Sequence, residues 1–181
     1  MSFHAAATCV VATTYEAKCV DEAKNEICLL ICCCGKFPYK SQRYNLKQLC
    51  VDRLMAAKNT SQRGILSEVP FDMTQTPPKV ITDTPDTRYM TAVPRWNKIF
   101  TDEERDVWRD IWGNNPSKKP IRIPDVVVLK NPDGPINQAN IEKIYEIKFP
   151  PDRWKPGQEE AYQEIAGDSP GKVEKNWHRG M

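Results

Sequence analysis

Apolar positions along this chain change their period as it proceeds, and the changes divide it into segments. From about Tyr15 to Cys34 it is rich in Ala, Glu, Lys and Leu and ends in the apolar run Ile27-Cys28-Leu29-Leu30-Ile31-Cys32-Cys33-Cys34. That predicts a buried helix, with Gly35 as its stop. A second helix is predicted from about Asn45 to Lys58. There Leu46, Leu49, Cys50, Arg53 and Leu54 are spaced along one apolar-edged face, and Asn45 suits the N-cap. Gly64 opens a different texture, in which Ile65-Leu66-Ser67-Glu68-Val69-Pro70-Phe71 is a short strand. From Thr74 to Pro94 the chain is rich in Thr, Pro and Asp, which is loop chemistry, because proline lacks a donor and restrains its predecessor. Thr101-Asp102-Glu103-Glu104 then has the form of a capping box. It would begin a helix with Val107, Trp108, Ile111 and Trp112 along one side, ending near Gly113-Asn114. A stripe at helical spacing is expected in a core rather than as a base-stacking platform.

The last third is the most regular. Ile121-Arg122-Ile123-Pro124-Asp125-Val126-Val127-Val128-Leu129 predicts a strand from its β-branched content, and Asn131-Pro132-Asp133-Gly134-Pro135 predicts a turn. Ile144-Tyr145-Glu146-Ile147-Lys148-Phe149 is a second strand, closed by Pro150-Pro151. A helix follows from Pro156 to Ala166, with Gly167 just past its end. The expected fold class is therefore α/β. It divides into a helical, Cys-rich N-terminal segment over residues 1–63 and a second domain over 64–181.

Composition narrows the picture. A chain of 181 residues suits one domain with a small appendage, and is long enough to bury a real core. Its net charge of +2 says little about partners, but seven basic residues fall between Lys36 and Arg63 against one acid, Asp52. Such a segment either lies along a phosphate backbone, with Lys47 and Arg53 in contact, or is a solvated helix face. All seven cysteines lie in the first fifty residues, three of them adjacent. Odd number and adjacency argue against a secreted disulfide framework, so reduced core thiols and a reducing compartment are expected. A zinc site is the alternative, although paired Cys-x-x-Cys knuckles are missing and the histidines are only His4 and His178. His178 reads as a tail residue rather than a proton carrier. The apolar run is well short of the ~20 residues of a membrane span, and it lacks a signal peptide's basic start. No membrane insertion is expected.

The candidate chemistry lies in the two C-terminal strands. Glu-x-Lys occurs three times, at Glu16, Glu22 and Glu146, so context must decide between them. The first two are in helical sequence, where residues two apart diverge. In a strand, Glu146 and Lys148 share a face, flanked here by Ile144, Ile147 and Phe149. Among four Pro-Asp pairs, only Asp125 opens an apolar strand run. A turn-linked neighbouring strand places Asp125 beside Glu146. Two close carboxylates repel, and a hard divalent cation relieves the repulsion. Bound between Asp125, Glu146 and the Ile147 carbonyl, Mg²⁺ would polarise a phosphate, while Lys148 would hold water or offset developing charge. The plainer alternative is an Asp–Lys or Glu–Lys pair stitching two strands with no metal.

The ordered motif from Pro124-Asp125-Val126 through Tyr145-Glu146-Ile147-Lys148 to Asp152-Arg153 and Gln158 resembles the virus-type replication-repair nuclease (VRR-NUC) branch of the PD-(D/E)xK superfamily. The resemblance covers about Ile121 to Asp168. It implies a restriction-endonuclease-like mixed sheet flanked by helices, dependence on Mg²⁺ or Mn²⁺, and hydrolysis of DNA phosphodiesters. It also implies Gln158 near the catalytic Lys148, with Arg153 and Lys155 toward the DNA. Many members use a further acid from an upstream helix or strand, for which Glu68 is the candidate here. The layout as a whole, with a Cys-rich helix and then Glu68-Val69-Pro70-Phe71-Asp72-Met73, resembles VRR-NUC toxins of bacterial type VI secretion. That implies delivery into a rival cell by the PAAR/VgrG apparatus, a cognate immunity protein, and a natural start that need not be Met1. The rival readings are a repair or phage nuclease acting on branched DNA, and a non-catalytic zinc or nucleic-acid-binding module.

Overall fold

The computed structural model describes residues 22–36, 39–40, 45–81, 101–103, 106–107, 110, 119–149, 151–167 and 171–177. Among these, the chain is a mixed α/β fold with three continuous helices, further helical residues between 102 and 110, and small sheets. Helix α1 (Glu22–Lys36) buries Ile27, Leu30, Ile31 and Cys34, a spacing that puts one stripe against the core. It runs on through Gly35, the expected stop. One glycine in a last turn costs only about 1 kcal/mol, and Cys34 beside it is anchored. A short ribbon, β1 (Tyr39–Lys40) with β2 (Asn45–Leu46), precedes α2 (Lys47–Ala57). Asn45 is thus in a strand pair rather than at the helix N-cap. The buried face of α2 carries Cys50, Val51 and Met55, while Arg53, expected at its edge, is exposed.

Four strands form the main sheet in the order β3 (Ile65–Ser67), β7 (Val126–Leu129), β8 (Ile141–Lys148), β9 (Val173–Trp177). The β8–β9 pairing is parallel and the other two are antiparallel, so the sheet is mixed. Both faces are covered. Helices α1 and α2 pack on Ile65, Val126, Val128, Tyr145 and Ile147, and α3 (Gln158–Ala166) packs Tyr162, Ile165 and Ala166 on Leu66, Val127, Leu129 and Ile144. Double coverage explains why β7 reads as an unbroken Val-Val-Val-Leu run rather than an alternating one.

A second sheet, in the order β5 (Lys79–Val80), β4 (Phe71–Asp72), β6 (Ile121–Arg122), continues from the first. Each of the strands expected over 65–71 and 121–129 is broken, yet their mutual register is continuous. Ile65 pairs with Val128 and Ser67 with Val126, and beyond the break Phe71 pairs with Arg122 and Asp72 with Ile121. The two segments are one antiparallel ribbon bent in the middle. At the bend Glu68 takes a left-handed φ of 48°, and Pro70 and Pro124 remove ladder donors. The bend still has one bond across it, from the Glu68 N–H to the Asp125 carbonyl at 3.0 Å. Lys79–Val80 makes a strand inside the expected loop, and residues 82–94 of that loop lie outside the described ones.

The Asn131–Pro135 turn forms as expected, with the Gly134 N–H on the Asn131 carbonyl. Strand β8 starts three residues earlier than expected. Helix α3 starts two residues later, at Gln158, because Gly157 before it is left-handed with φ 66°. Asp102, Glu103, Asp106, Val107 and Asp110 are helical, as the capping box predicted. Val107, however, is 58% exposed. It lies one turn from the exposed Glu103 and Asp110, on the solvent side rather than in a core stripe. Trp108, Ile111, Trp112 and His178 lie outside the described residues.

The cysteines depart most from expectation. Cys34 and Cys50 are joined by a disulfide that ties α1 to α2, and Cys33 is also disulfide-bonded. The adjacent residues do not pair with each other, which matches disulfide geometry. The expectation of wholly reduced core thiols is overturned, because packing α1 against α2 brings two of them together in a way spacing alone does not reveal. Cys28 and Cys32 are in no disulfide. Arg63, at the end of the basic segment, is held by Glu26 at 2.8 Å. No described helix is long and apolar enough to cross a membrane.

Opening the Cys34–Cys50 bridge, which spans 16 positions, should cost about 3 kcal/mol of unfolding free energy. Chemical denaturation of the oxidised protein, the reduced protein and Cys50→Ala measures this. Equal midpoints for oxidised and reduced protein would contradict the bridge.

Candidate metal centre

The bent ribbon brings Asp125 to the end of β8. Carried one residue past Val126↔Tyr145, the register sets Asp125 against Glu146. Asp125 precedes β7 and has left the regular ladder. Its carboxylate Oδ2 accepts the Ile147 backbone N–H at 2.6 Å, so it caps the edge of β8. In a strand the N–H and C=O of one residue leave on the same side, so the Ile147 carbonyl also faces Asp125. From the helical layer, the Gln48 side chain on α2 hydrogen-bonds the same carboxylate.

Glu146 and Lys148 share a face of β8, as the two-residue period requires, and both are at least 94% buried. Lys148 Nζ donates to Glu146 Oε1 at 2.5 Å and to Gln158 Oε1 at 3.3 Å, and sits 5.7 Å from the centre of the Trp154 ring. Gln158, in the first turn of α3, is the hub. Its Nε2 donates to Glu146 Oε1 at 2.7 Å and to the Tyr162 hydroxyl at 2.9 Å, while its Oε1 also accepts the Lys155 N–H at 3.1 Å. The Tyr162 hydroxyl donates in turn to the Ile123 carbonyl at 3.0 Å, two residues before Asp125. The chain of bonds thus leads from β8 through α3 back to the bend.

One acceptor is left over. Glu146 Oε2 is buried and has no hydrogen-bond partner. A buried unsatisfied acceptor costs about 1–3 kcal/mol, and more when it is charged. The Asp125 carboxyl reports the same stress, with its pKa pushed up to about 8, first by burial and then by the neighbouring Glu146. Its bonds from Ile147 and Gln48, and the charge of Lys148, only partly offset this. The Tyr162 hydroxyl is likewise pushed up, by burial first and Glu146 second.

Glu146 Oε2, the Asp125 carboxylate and the Ile147 carbonyl are hard oxygen donors of the kind that Mg²⁺ and Mn²⁺ take. They fit a divalent ion in that one is orphaned and another has its pKa raised by burial and by its neighbour's charge. Among the described residues no group of three or more His, Cys, Asp or Glu side chains can hold a metal. A cation here therefore rests on two carboxylates, completed by backbone and water.

The expected further acid, Glu68, does not join such a group. It is at the ribbon bend rather than in a strand, and its backbone N–H bonds the Asp125 carbonyl. Of the cations expected to meet DNA, Lys47 lies over the Phe149 ring at 5.4 Å, just past the end of β8. Arg153 and Lys155 are exposed beside Trp154, and Arg53 is exposed about 100° round α2 from Asp52. Asp52 itself accepts from Ser67 Oγ at 2.7 Å.

Gln48 and Tyr162 were not anticipated. The i, i+4 spacing of Gln158 and Tyr162 was available as a signal. Gln48 had none, since it stands in a basic helix with no pattern of its own. Comparison with protein-family models, curated proteins and solved structures finds no match to this chain.

An acid with a raised pKa binds its proton more tightly when folded. The associated stability is present below the ordinary carboxyl range and lost as pH rises toward about 8. Metal-free protein should therefore lose thermal stability between about pH 5 and about pH 8.5, and Asp125→Asn should flatten that dependence. Parallel curves for the two proteins in calorimetry across this range would contradict the assignment.

Proposed function

We propose that this protein is a divalent-metal-dependent nuclease hydrolysing DNA phosphodiesters, built on a restriction-endonuclease-like core of the VRR-NUC type. The observation that carries this reading is the unpartnered, buried Glu146 Oε2 beside the Asp125 carboxyl, whose pKa is pushed up first by burial and then by Glu146. A strand-stitching ion pair explains Lys148 on Glu146 Oε1, but it explains neither the empty oxygen nor the second acid. Asp125, Glu146 and the Ile147 carbonyl would hold Mg²⁺ or Mn²⁺. When bound, such an ion polarises the scissile phosphate and lowers the pKa of water. The proton on Asp125 must leave first, so affinity for the ion rises with pH toward about 8.

The chain's own residues supply the rest. Lys148 is fixed in place by Glu146 and Gln158, so its ammonium is preorganised to orient attacking water or to donate to a non-bridging phosphate oxygen as charge builds there. Gln158 holds Lys148 and Glu146 in register and fixes the turn at Lys155. Water attacks phosphorus and loses a proton to solvent, while the bond to the leaving sugar oxygen breaks and that oxygen takes up a proton; Glu146, Lys148 and Gln158 are buried around the reacting groups.

The Cys-rich helix and the Glu68–Met73 stretch ahead of the core further suggest an antibacterial effector of type VI secretion. It would be carried by a PAAR/VgrG apparatus and blocked in the producer by an immunity protein over the cleft.

Purified protein should nick plasmid in Mg²⁺ and stop on addition of chelator. Asp125→Ala and Lys148→Ala should each lose about a hundredfold or more in rate, the size of one removed charge-stabilising group. Equal cutting by all three proteins would refute the centre. For the effector role, expression in a bacterial cytoplasm should kill with the wild type and be harmless with Glu146→Ala. Healthy growth of cells making active enzyme would count against that role.

A further inference from the structure

Between β8 and α3 a strap of chain folds back beside the site. Its first turn closes with the Asp152 N–H on the Phe149 carbonyl at 2.9 Å, and its last with the Gln158 N–H on the Lys155 carbonyl at 3.0 Å. The Lys155 N–H in turn meets Gln158 Oε1 at 3.1 Å. From Pro151 to Pro156 every residue is exposed except Trp154, which is partly buried. A strap tied at both ends thus turns one aromatic inward.

Trp154 packs on the core cluster beneath α3. Its ring centre is 5.9 Å from that of Tyr162 with the planes at 66°, an edge-to-face contact. Lys148 Nζ lies over the same ring, 5.7 Å from its centre, within reach of a cation–π attraction. An ammonium has three N–H donors. Glu146 Oε1 and Gln158 Oε1 take two of those on Lys148. Among the described residues no third acceptor meets it, and the indole ring lies over it instead.

We infer that Trp154 is a positioning residue for Lys148, whose third N–H it keeps available for the attacking water or for a phosphate oxygen of the substrate. A ring attracts the cation without accepting an ordinary hydrogen bond, so it fixes Lys148 and leaves the donor that the reaction needs. A polar side chain in its place would take that hydrogen, and an aliphatic one would not attract the charge. The assignment rests on the nuclease reading above, and adds a group that acts through Lys148 rather than on metal or DNA. A Trp154 that only filled space would serve Tyr162 alone, and any apolar side chain of similar size would replace it.

Trp154→Leu and Trp154→Phe separate the two roles, because only the second keeps a ring. At saturating plasmid and Mg²⁺, Trp154→Leu should lose about ten- to thirtyfold in kcat, the size of a desolvated cation–π contact, with KM for DNA unchanged. Trp154→Phe should stay within about threefold of the wild type. Denaturation midpoints are measured alongside, and Trp154→Met is the second non-aromatic variant should Trp154→Leu not fold. A readout independent of cutting is the rate at which acetic anhydride acylates Lys148, followed by mass spectrometry against the exposed Lys58. Relative to Lys58, Lys148 should react slowly in the wild type and in Trp154→Phe, and several-fold faster in Trp154→Leu.

Equal kcat in Trp154→Leu and Trp154→Phe would overturn the assignment while plasmid cutting stands. So would acylation of Lys148 at one rate in all three proteins. A wild type that cuts nothing in Mg²⁺, with Lys148 opened to acylation only in Trp154→Leu, would keep Trp154 as the group that holds Lys148 and sink the nuclease reading.

Discussion

Carboxylates do not enter an apolar sandwich without compensation, and in this fold two of them enter side by side. Glu146 projects from a strand covered on both faces, and Asp125 reaches it from the neighbouring strand. Lys148, Gln158 and Tyr162 are arranged around that pair. They satisfy one oxygen of Glu146 fully and leave the other with nothing. Burial of an unpaired charge is among the costlier things a domain does. The proton on Asp125 relieves part of that cost, and a divalent ion would relieve it better.

The bend in the β3–β4/β6–β7 ribbon makes the arrangement possible. An unbroken strand would have committed Asp125 to a regular ladder, with its side chain standing off one face. Pro124 and the left-handed Glu68 release it, and the carboxylate caps the β8 edge instead. The α2 layer reaches the same carboxylate through Gln48, and the Cys34–Cys50 bridge fastens α2 to α1. Parts of the first helical segment therefore brace a group near the middle of the last third. Stability of the helix pair and geometry of the centre are coupled through a few named contacts.

How far the sequence anticipates this depends on whether a feature is local. Glu146 and Lys148 on one face follow from the period of a strand, and the Asn131–Pro135 turn follows from its residues. Asp125 beside Glu146 follows from a hairpin-like return between two apolar runs. Gln158 next to Lys148 came from an ordered motif, and helix α3 places it there. What was missed depends on contacts distant in sequence. The sheet switch at Pro124 looks like a continuous strand because register persists across it. The disulfide depends on how two helices dock, and Val107 on which side of its helix faces water. Glu68 was singled out for its carboxylate, and its backbone N–H bonds Asp125 at the bend.

The most direct measurement is a crystal of the protein grown with Mn²⁺ and examined at the manganese absorption edge. The account predicts one anomalous peak at about 2.0–2.4 Å from Asp125, Glu146 Oε2 and the Ile147 carbonyl, with Lys148 still on the other oxygen of Glu146. A crystal soaked to saturation that shows no peak there, with Glu146 Oε2 still unpartnered and Asp125 still capping Ile147, would contradict it.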